Sequence, residues 1–239
     1  MNVAYNMDCL EAMREMQDNA FDLAVVDPPY GDALTDADGG GTLYNRFGGR
    51  FDQYKDPGTD HLSSSCRKLH TGEADGRELV GEIRKKIITW DVAPGKEYFK
   101  ELFRVSRNQI IWGGNYFDLP RTRCFLIWRK TNVPQDFTMA MAEYAWTSFN
   151  ANAKVFNFSA VGIPGRFHPT QKPVELYAWL FDLYAKPGDK ILDTHLGSGS
   201  SRIAAYDAGL DFVGYEIDET YFKLQEERFA RHSMQQNLF

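Results

Sequence analysis

Cysteine is scarce in this chain. Among 239 residues there are only three, Cys9, Cys66 and Cys124, and they lie far apart. An odd number of distant cysteines favours neither a disulfide framework nor a zinc site. We therefore expect free thiols, a reducing compartment and no bound metal.

Long apolar runs are also absent from the sequence. No stretch approaches the roughly 20 apolar residues that a membrane-spanning helix needs. The first residues do not form a charged leader followed by an apolar run, so we expect no secretory signal. With 43% hydrophobic and 25% charged residues, the composition is that of a globular protein long enough for one α/β domain.

The sequence has no excess of positive charge. Its formal net charge of −6 taken alone argues against a nucleic-acid partner. Net charge is a weak guide, however, because binding depends on where the basic residues cluster. One such cluster comprises Arg121, Arg123, Arg129 and Lys130. We interpret this cluster as solvated surface charge, the commonest role of a charge run.

The clearest pattern that is present lies in the last third of the chain. It predicts a strand at 190–193, a glycine turn at 197–199, a helix at 201–208, a second strand at 212–216 and a final helix at 219–231. Alternation of this kind indicates a parallel sheet with flanking helices. Glycines at such a turn tolerate positive φ and let a ligand approach the backbone.

An acid follows the second of these strands. Glu216 stands about 20 residues after Gly197, the spacing at which an acid binds a ribose in nucleotide-binding folds. The third glycine of the dinucleotide fingerprint is missing, because Arg202 stands in its place. With Asp193 before the turn, the pattern predicts a nucleoside pocket in which nothing demands a pyrophosphate.

Apolar patterns predict further elements upstream. Strands are expected near 3–5 and at 21–26, 108–112 and 124–128, and helices at 9–16, 96–105 and 174–184. Two more runs, at 143–149 and 154–158, are separated by Asn150-Ala151-Asn152 and are interpreted as a β-hairpin.

Residues 31–84 differ from the rest of the chain. They contain glycine and serine runs, few aliphatic residues and no sustained periodicity. Long segments of this kind are usually functional lids or disordered. We interpret the segment as an insert and leave two alternatives open: a mobile or disordered loop, or a lid that closes over a nucleic acid.

The predicted strand at 21–26 ends in the motif Asp27-Pro28-Pro29-Tyr30. The two prolines cannot donate a backbone hydrogen bond, and each biases the residue before it toward extended geometry. The motif is therefore a stiff turn that offers a carboxylate, a carbonyl and an aromatic ring to one small space. This trio suits a planar ligand that carries an amino group, because the oxygens accept its N–H groups and the ring stacks on its face.

Together the motifs resemble those of S-adenosylmethionine-dependent DNA amino-methyltransferases. The resemblance rests on residues 27–30, Asp193-Thr194-His195-Leu196-Gly197-Ser198-Gly199-Ser200, Gly214-Tyr215-Glu216, Asn6-Met7-Asp8-Cys9-Leu10 and His168-Pro169-Thr170-Gln171-Lys172-Pro173. The catalytic motif precedes the cofactor motif, as in the circularly permuted β class, and residues 108–117 resemble small phage-borne members. The resemblance implies one domain over 1–239 with a Rossmann-like methyltransferase fold: a mostly parallel, seven-stranded twisted sheet with helices on both faces.

The resemblance also implies roles for individual residues. The catalytic residues are Asp27, Pro28, Pro29 and Tyr30. The residues that bind S-adenosylmethionine are Asp8 and Cys9 at the adenine ring, Glu216 at the ribose, Thr170 and Lys172 near the carboxylate, and Asp193, His195, Gly197, Ser198 and Gly199 along the glycine turn, with Asp27 beside them. His195 stands where the family usually has an aromatic residue, so it either contacts the cofactor or is a turn histidine that faces solvent.

The activity implied is methylation of the N6 amine of an adenine flipped out of double-stranded DNA, in a bacterial or phage-infected cytoplasm at the nucleoid. Cytosine N4 is the alternative target, and a non-catalytic relative that binds DNA or the sliding clamp is a further alternative. Recognition of the DNA is expected from residues 131–167, and a homodimer is left open. The tail at 232–239 includes Gln235, Leu238 and Phe239, which resemble the Gln-x-x-Leu-Phe peptide that docks on the bacterial sliding clamp.

Overall fold

The computed structural model describes residues 1–31, 91–133, 140–160 and 166–236. The chain divides into two units: Met1–Pro28 together with Pro94–Phe239, and Pro29–Ala93. In the second unit the Gly31 N–H donates to Asp91 Oδ1 at 3.2 Å. Apart from Gly31, the predicted insert at 31–84 lies outside the described residues, so both interpretations of it stay predictions.

The described part of the first unit contains eight strands and five α-helices. The strands are β1 (Asn2–Tyr5), β2 (Phe21–Val26), β3 (Ser106–Trp112), β4 (Phe125–Lys130), β5 (Ala142–Thr147), β6 (Lys154–Phe158), β7 (Lys190–Asp193) and β8 (Asp211–Tyr215). The helices are α1 (Cys9–Arg14), α2 (Lys96–Val105), α3 (Val174–Tyr184), α4 (Ser200–Asp207) and α5 (Glu219–Gln236), and a short 3₁₀ helix covers Gly114–Tyr116.

The eight strands form one mixed sheet in the order β1-β8-β7-β2-β3-β5-β4-β6. Neighbouring strands are parallel except around β5, which is antiparallel to both β3 and β4. The prediction of a mostly parallel α/β sheet is confirmed, including the parallel β7–β8 pair. The seven-strand count is wrong, because β6 adds an eighth strand beside β4 at the sheet edge.

The hairpin predicted from 143–149 and 154–158 is also wrong. Strand β4 lies between β5 and β6, antiparallel to the first and parallel to the second. Strand β4 occupies the interior position because it buries Leu126 and Trp128 in the core, whereas β6 is largely exposed. Alternating patterns identify strands, but pairing follows from which side chains the core can bury.

The two faces of the sheet carry separate layers of helices. Along β2, Leu23 and Val25 belong to a core cluster with residues of α3 and α4. The alternate residues Ala24 and Val26 belong to a second cluster with residues of α1 and α2. Successive side chains of a strand point to opposite faces, so these clusters lie on opposite sides of the sheet. Helices on both faces were predicted, and this is confirmed.

The sheet has a topological switch point between β2 and β7. The chain passes from β2 to β3 on one side and from β7 to β8 on the other, while β2 and β7 pair directly. In open parallel sheets, ligands bind outside the carboxyl ends of the strands at such a point. Asp27 directly follows β2 and Asp193 ends β7, so both carboxylates lie at this edge.

Candidate active site

The glycine turn after β7 is built on positive backbone angles. Gly197 has φ of +51° and Gly199 has φ of +73°, a region that side-chain-bearing residues rarely adopt. A Cβ on Gly199 would also lie only 3.1 Å from Oε1 of Gln225. The turn therefore requires glycine at these two positions, and both glycines are buried.

Glu216 is attached directly to this turn. Its Oε2 accepts the N–H of Gly197 at 2.8 Å, and its Oε1 accepts the N–H of Asp218 at 2.8 Å. Burial raises the pKa of the Glu216 carboxyl. The Asn6 side chain donates to the Glu216 carbonyl at 2.7 Å, which brings the segment after β1 to the same place. The structure thus unites the turn, the acid and the segment that carries Asp8.

Asp193 orients the start of the turn. Its Oδ1 accepts the N–H of His195 at 3.0 Å, and its Oδ2 accepts the Ser201 hydroxyl at 2.5 Å. The side chain is almost fully buried, and burial raises the pKa of its carboxyl to about 7. Both oxygens hold the loop, and a contact with the cofactor stays a prediction.

His195 packs into the site. Its ring lies edge-on to Tyr98 with centroids 5.4 Å apart, and its Nδ1 is 3.0 Å from the Thr194 hydroxyl. Burial lowers the pKa of His195 to about 4, so the ring is neutral at pH 7. The ring is half-buried, and both alternatives for this residue, a cofactor contact or a turn histidine that faces solvent, stay predictions.

Asp8 and Cys9 lie at the start of α1. Asp8 is the N-cap of the helix, and its Oδ1 accepts the N–H of Leu10 at 2.7 Å. Burial raises the pKa of the Cys9 thiol to about 12, so this thiol is not a nucleophile at neutral pH. Their predicted role at the adenine ring stays a prediction.

The segment before α3 joins the glycine turn through His168 and Lys172. The His168 ring lies edge-on to Tyr221 at 4.3 Å, and its Nδ1 is 3.2 Å from the Thr170 hydroxyl. The Ser200 hydroxyl donates to the Lys172 carbonyl at 2.7 Å. Nearby, Arg228 of α5 donates to the Ser198 carbonyl at 2.8 Å. These bonds hold the predicted cofactor residues Thr170, Lys172 and Ser198 in one region.

Asp27 belongs to a chain of four charged side chains, Asp27, Lys172, Glu143 and Lys130, which we call the charge cluster. Lys172 Nζ lies 2.5 Å from Asp27 Oδ2 and 3.1 Å from Glu143 Oε2. Glu143 Oε1 in turn lies 2.6 Å from Lys130 Nζ. The exposed fractions are 4% for the Lys172 side chain and 3% for that of Lys130. Such burial is tolerated only because each lysine is paired with a carboxylate.

Lys172 and Glu143 keep their charges at neutral pH. Burial by itself lowers the pKa of Lys172, but attraction to Asp27 and Glu143 outweighs burial and the net pKa is raised. Burial by itself raises the pKa of Glu143, but attraction to Lys172 and Lys130 outweighs burial and brings it to about 2. Lys172 therefore presents a permanent ammonium to Asp27.

Two features of the cluster differ from what the sequence indicates. Lys130 was interpreted as solvated surface charge together with Arg121, Arg123 and Arg129, and for Lys130 this is wrong. The three arginines are exposed, whereas Lys130 ends β4 pointing into the protein against Glu143. Glu143 was not identified as a site residue, although an acid near the start of an otherwise apolar strand was a usable signal.

Some predicted site residues are not placed by these contacts. Pro29 and Tyr30 belong to the second unit, so their role beside Asp27 stays a prediction. Within the predicted recognition region at 131–167, the described residues supply strands β5 and β6 of the main sheet. Helix α5 continues through 232–236 of the predicted tail, and Leu238 and Phe239 lie outside the described residues.

A mostly parallel sheet with a glycine turn and an acid at its switch point defines a methyltransferase-like α/β fold. Residues 84–227 match the model of the DNA methylase family (N6_N4_Mtase), which is more than half of the chain. The protein belongs to this family of S-adenosylmethionine-dependent DNA methyltransferases.

Individual relatives agree with this assignment. The type II methyltransferase M2.MboI of Moraxella bovis is 24% identical over 258 residues, which cover 94% of this chain and 86% of the relative. The M1.HpyAVI–SAM complex superposes with a TM-score of 0.52 at 17% identity, covering 95% of this chain and 98% of its own. The cytosine-N4-specific PvuII DNA methyltransferase gives a TM-score of 0.57 at 11% identity, covering 96% and 86%. At these identities the two structures show the fold.

The described residues also bear on the expectations of free thiols, no metal site and no membrane-spanning helix. In the parts of the chain that the structure describes, no group of three or more histidine, cysteine or acidic side chains is placed to hold a metal ion. Cys9 and Cys124 are free thiols. Among the same residues, no helix combines the length and apolar character needed to cross a membrane.

Proposed function

We propose that the protein methylates the N6 amine of adenine in double-stranded DNA, with S-adenosylmethionine as the methyl donor. The observation that carries the proposal is the position of Asp27, which is paired with Lys172 and follows β2, next to β7 with its glycine turn. The carboxylate and the turn to which we assign the nucleoside therefore lie at the same edge of the sheet. Asp27 precedes Asp193 in the chain, which supports the permuted motif order.

The residues present fit the cofactor. Gly197 has φ of +51°, so the backbone angle favours glycine here, and a Cβ would lie 3.4 Å from the His168 ring. Glu216 is held by two N–H groups and suits a ribose, whereas Asp8 and Cys9 would hold the adenine ring. When bound, S-adenosylmethionine supplies a methyl group on a sulfonium, which is electrophilic without activation by the protein.

The catalytic task of this chain is therefore to prepare the amine. The lone pair of an adenine amine is delocalised into its ring, which makes the amine a poor nucleophile. The Asp27 carboxylate and the Pro28 carbonyl can each accept one N–H of the amine, which favours a tetrahedral nitrogen and stabilises developing positive charge. The amine becomes more acidic as its new bond forms, so no strong base is needed.

Access to the base requires flipping. An adenine in a duplex must leave the stack at a cost of a few kcal/mol, which stacking in the enzyme pocket offsets in part. We assign this stacking role to Tyr30. We assign sequence recognition to residues 131–167, and leave a homodimer and a sliding-clamp contact through Gln235, Leu238 and Phe239 as predictions.

Cytosine N4 is the second candidate, supported by the likeness to the PvuII enzyme. We favour adenine because the Asp27-Pro28-Pro29-Tyr30 motif is associated mainly with adenine in the resembling family. DNA treated with the protein and labelled cofactor, then digested to nucleosides, is expected to yield N6-methyladenine by mass spectrometry. Labelled N4-methylcytosine would establish the alternative, and the absence of any labelled base would refute both.

Glu216 is expected to control cofactor affinity. Glu216→Ala leaves the N–H groups of Gly197 and Asp218 without their acceptor and removes the proposed ribose partner. Hydrogen bonds to a charged group are worth about 1.5–3 kcal/mol, which predicts roughly 10- to 100-fold weaker binding in calorimetry. Glu219→Ala, at an exposed residue of α5, is the matched control. Equal affinity of the Glu216 variant and the wild type would contradict this role.

A further inference from the structure

We infer that Glu143 is a positioning residue for methyl transfer, which fixes the Lys172 ammonium against Asp27 and thereby holds the Asp27 carboxylate in its productive orientation. The inference rests on the proposed function of Asp27. It assigns to a strand outside the recognised motifs a role in the chemical step.

The strand arrangement explains how Glu143 reaches this place. Strand β5 runs antiparallel to β3 and β4, so its first residues lie at the edge where the parallel strands end. Glu143 is paired in register with Trp128 of β4, two residues before Lys130. The Glu143 carboxylate therefore lies between Lys130 and Lys172, at 2.6 and 3.1 Å from their ammonium groups.

Three contacts define the position of the Lys172 ammonium. It is bonded to Asp27 on one side and to Glu143 on the other, and it lies 5.5 Å from the centroid of the Trp112 ring. An ammonium on a four-carbon stem has many rotamers, so a single partner would leave it poorly fixed. Glu143 supplies the second anchor, and Lys130 holds Glu143.

When Glu143 is neutralised, the positioning role predicts a change in the pH dependence of activity, whereas a purely structural role does not. Among the described residues, the charged or titratable groups around Lys172 and its partners are Asp27, Glu143, Lys130, His168, Tyr177 and Asp193. Without the Glu143 charge, the burial that lowers the pKa of Lys172 meets less opposition, so its pKa falls. The Lys172 ammonium would then lose its proton at alkaline pH. Because methyl transfer requires it, activity would fall with rising pH only in the variant.

The test is Glu143→Gln, with single-turnover methylation measured from pH 6.5 to about 9.5, a range below the ordinary lysine pKa. At pH 7.5 and saturating cofactor we expect the rate to fall roughly 10- to 100-fold, as for a misplacement of about 1 Å. A new decline of the rate should follow at alkaline pH. Glu97→Gln is the matched control, because Glu97 forms an exposed ion pair with Arg14. Wild-type rate and pH profile in a folded Glu143→Gln protein would overturn the inference.

A second variant guards against a folding defect. Lys130→Gln with Glu143→Gln removes one charge of each sign and leaves the Lys172–Asp27 pair intact. The inference predicts slowed methyl transfer here as well, because the Lys172 ammonium still lacks its second anchor, whereas the alkaline decline is smaller because a repelling charge is also lost. A wild-type rate in this double variant would overturn it. If the wild type methylates no base, the proposed function fails; if the wild type is active and both variants match it, only the role of Glu143 fails.

Discussion

Asp27→Asn is expected to abolish detectable methyl transfer while leaving cofactor binding intact. The substitution keeps the shape of the side chain but removes the negative charge that pairs with Lys172 at 2.5 Å. It also replaces one acceptor oxygen by an NH₂ donor, which opposes the amine of the target base. Loss of one preorganised electrostatic contact typically costs about 10²–10³-fold in rate, and loss of the ion pair adds to this.

The matched control lies on the same strand. Asp22 of β2 is at the opposite end from Asp27, where its Oδ2 accepts the N–H of Lys190 at 3.0 Å. Asp22→Asn makes the same chemical change far from the switch point, so its turnover should equal that of the wild type. Turnover is measured with labelled cofactor and binding by calorimetry. An active Asp27→Asn protein, or one that no longer binds the cofactor, would contradict the assignment.

Lys172→Met is expected to cause the largest loss of stability. Methionine is close to lysine in volume, but it leaves the Asp27 and Glu143 carboxylates without the ammonium that neutralises them. Removing one partner of a buried ion pair typically costs about 3–5 kcal/mol of unfolding free energy. Urea unfolding followed by circular dichroism at pH 7 measures the loss. Lys223→Met is the control, because Lys223 forms an exposed pair with Glu219 and should unfold like the wild type.

The destabilisation by Lys172→Met should also depend on pH. In the wild type the pKa of Glu143 is lowered from 4.5 to about 2, so its contribution to stability is complete above pH 4.5 and is lost as the pH falls through 2. Without Lys172, only Lys130 still opposes the effect of burial, so the pKa of Glu143 rises and its protonation in mild acid removes part of the uncompensated negative charge. The difference in unfolding free energy between variant and wild type should thus be smaller at pH 4 than at pH 7. An equal difference at both pH values would contradict the ion pairing.

Much of the local structure follows from the sequence alone. The helices Lys96–Val105 and Val174–Tyr184 and the strand Lys190–Asp193 have the bounds that their apolar patterns predict. The parallel β7–β8 unit with its glycine turn was also predicted correctly. These features depend on periodicity, glycine geometry and short-range chain direction, which a sequence displays directly.

The pairing of the strands, in contrast, does not follow from the local sequence. The run at 154–158 is a strand as predicted, but it pairs with β4 and not with β5. Which strands pair depends on which arrangement of all the strands buries the most apolar side chains. Because β4 gains more burial than β6, it takes the interior place, and no local pattern contains this comparison.

The surroundings of Asp27 also combine features that the sequence determines with contacts that only the tertiary structure decides. The sequence by itself determined that a carboxylate, a carbonyl and an aromatic ring follow a buried strand, and it predicted a nucleoside pocket later in the chain. Only the tertiary structure decided that Lys172, 145 residues away, pairs with Asp27, and that Glu143 and Lys130 support Lys172. The reason is that charges in a low-dielectric interior must find partners in space, and the fold brings three strand ends and the segment before α3 together at one edge of the sheet.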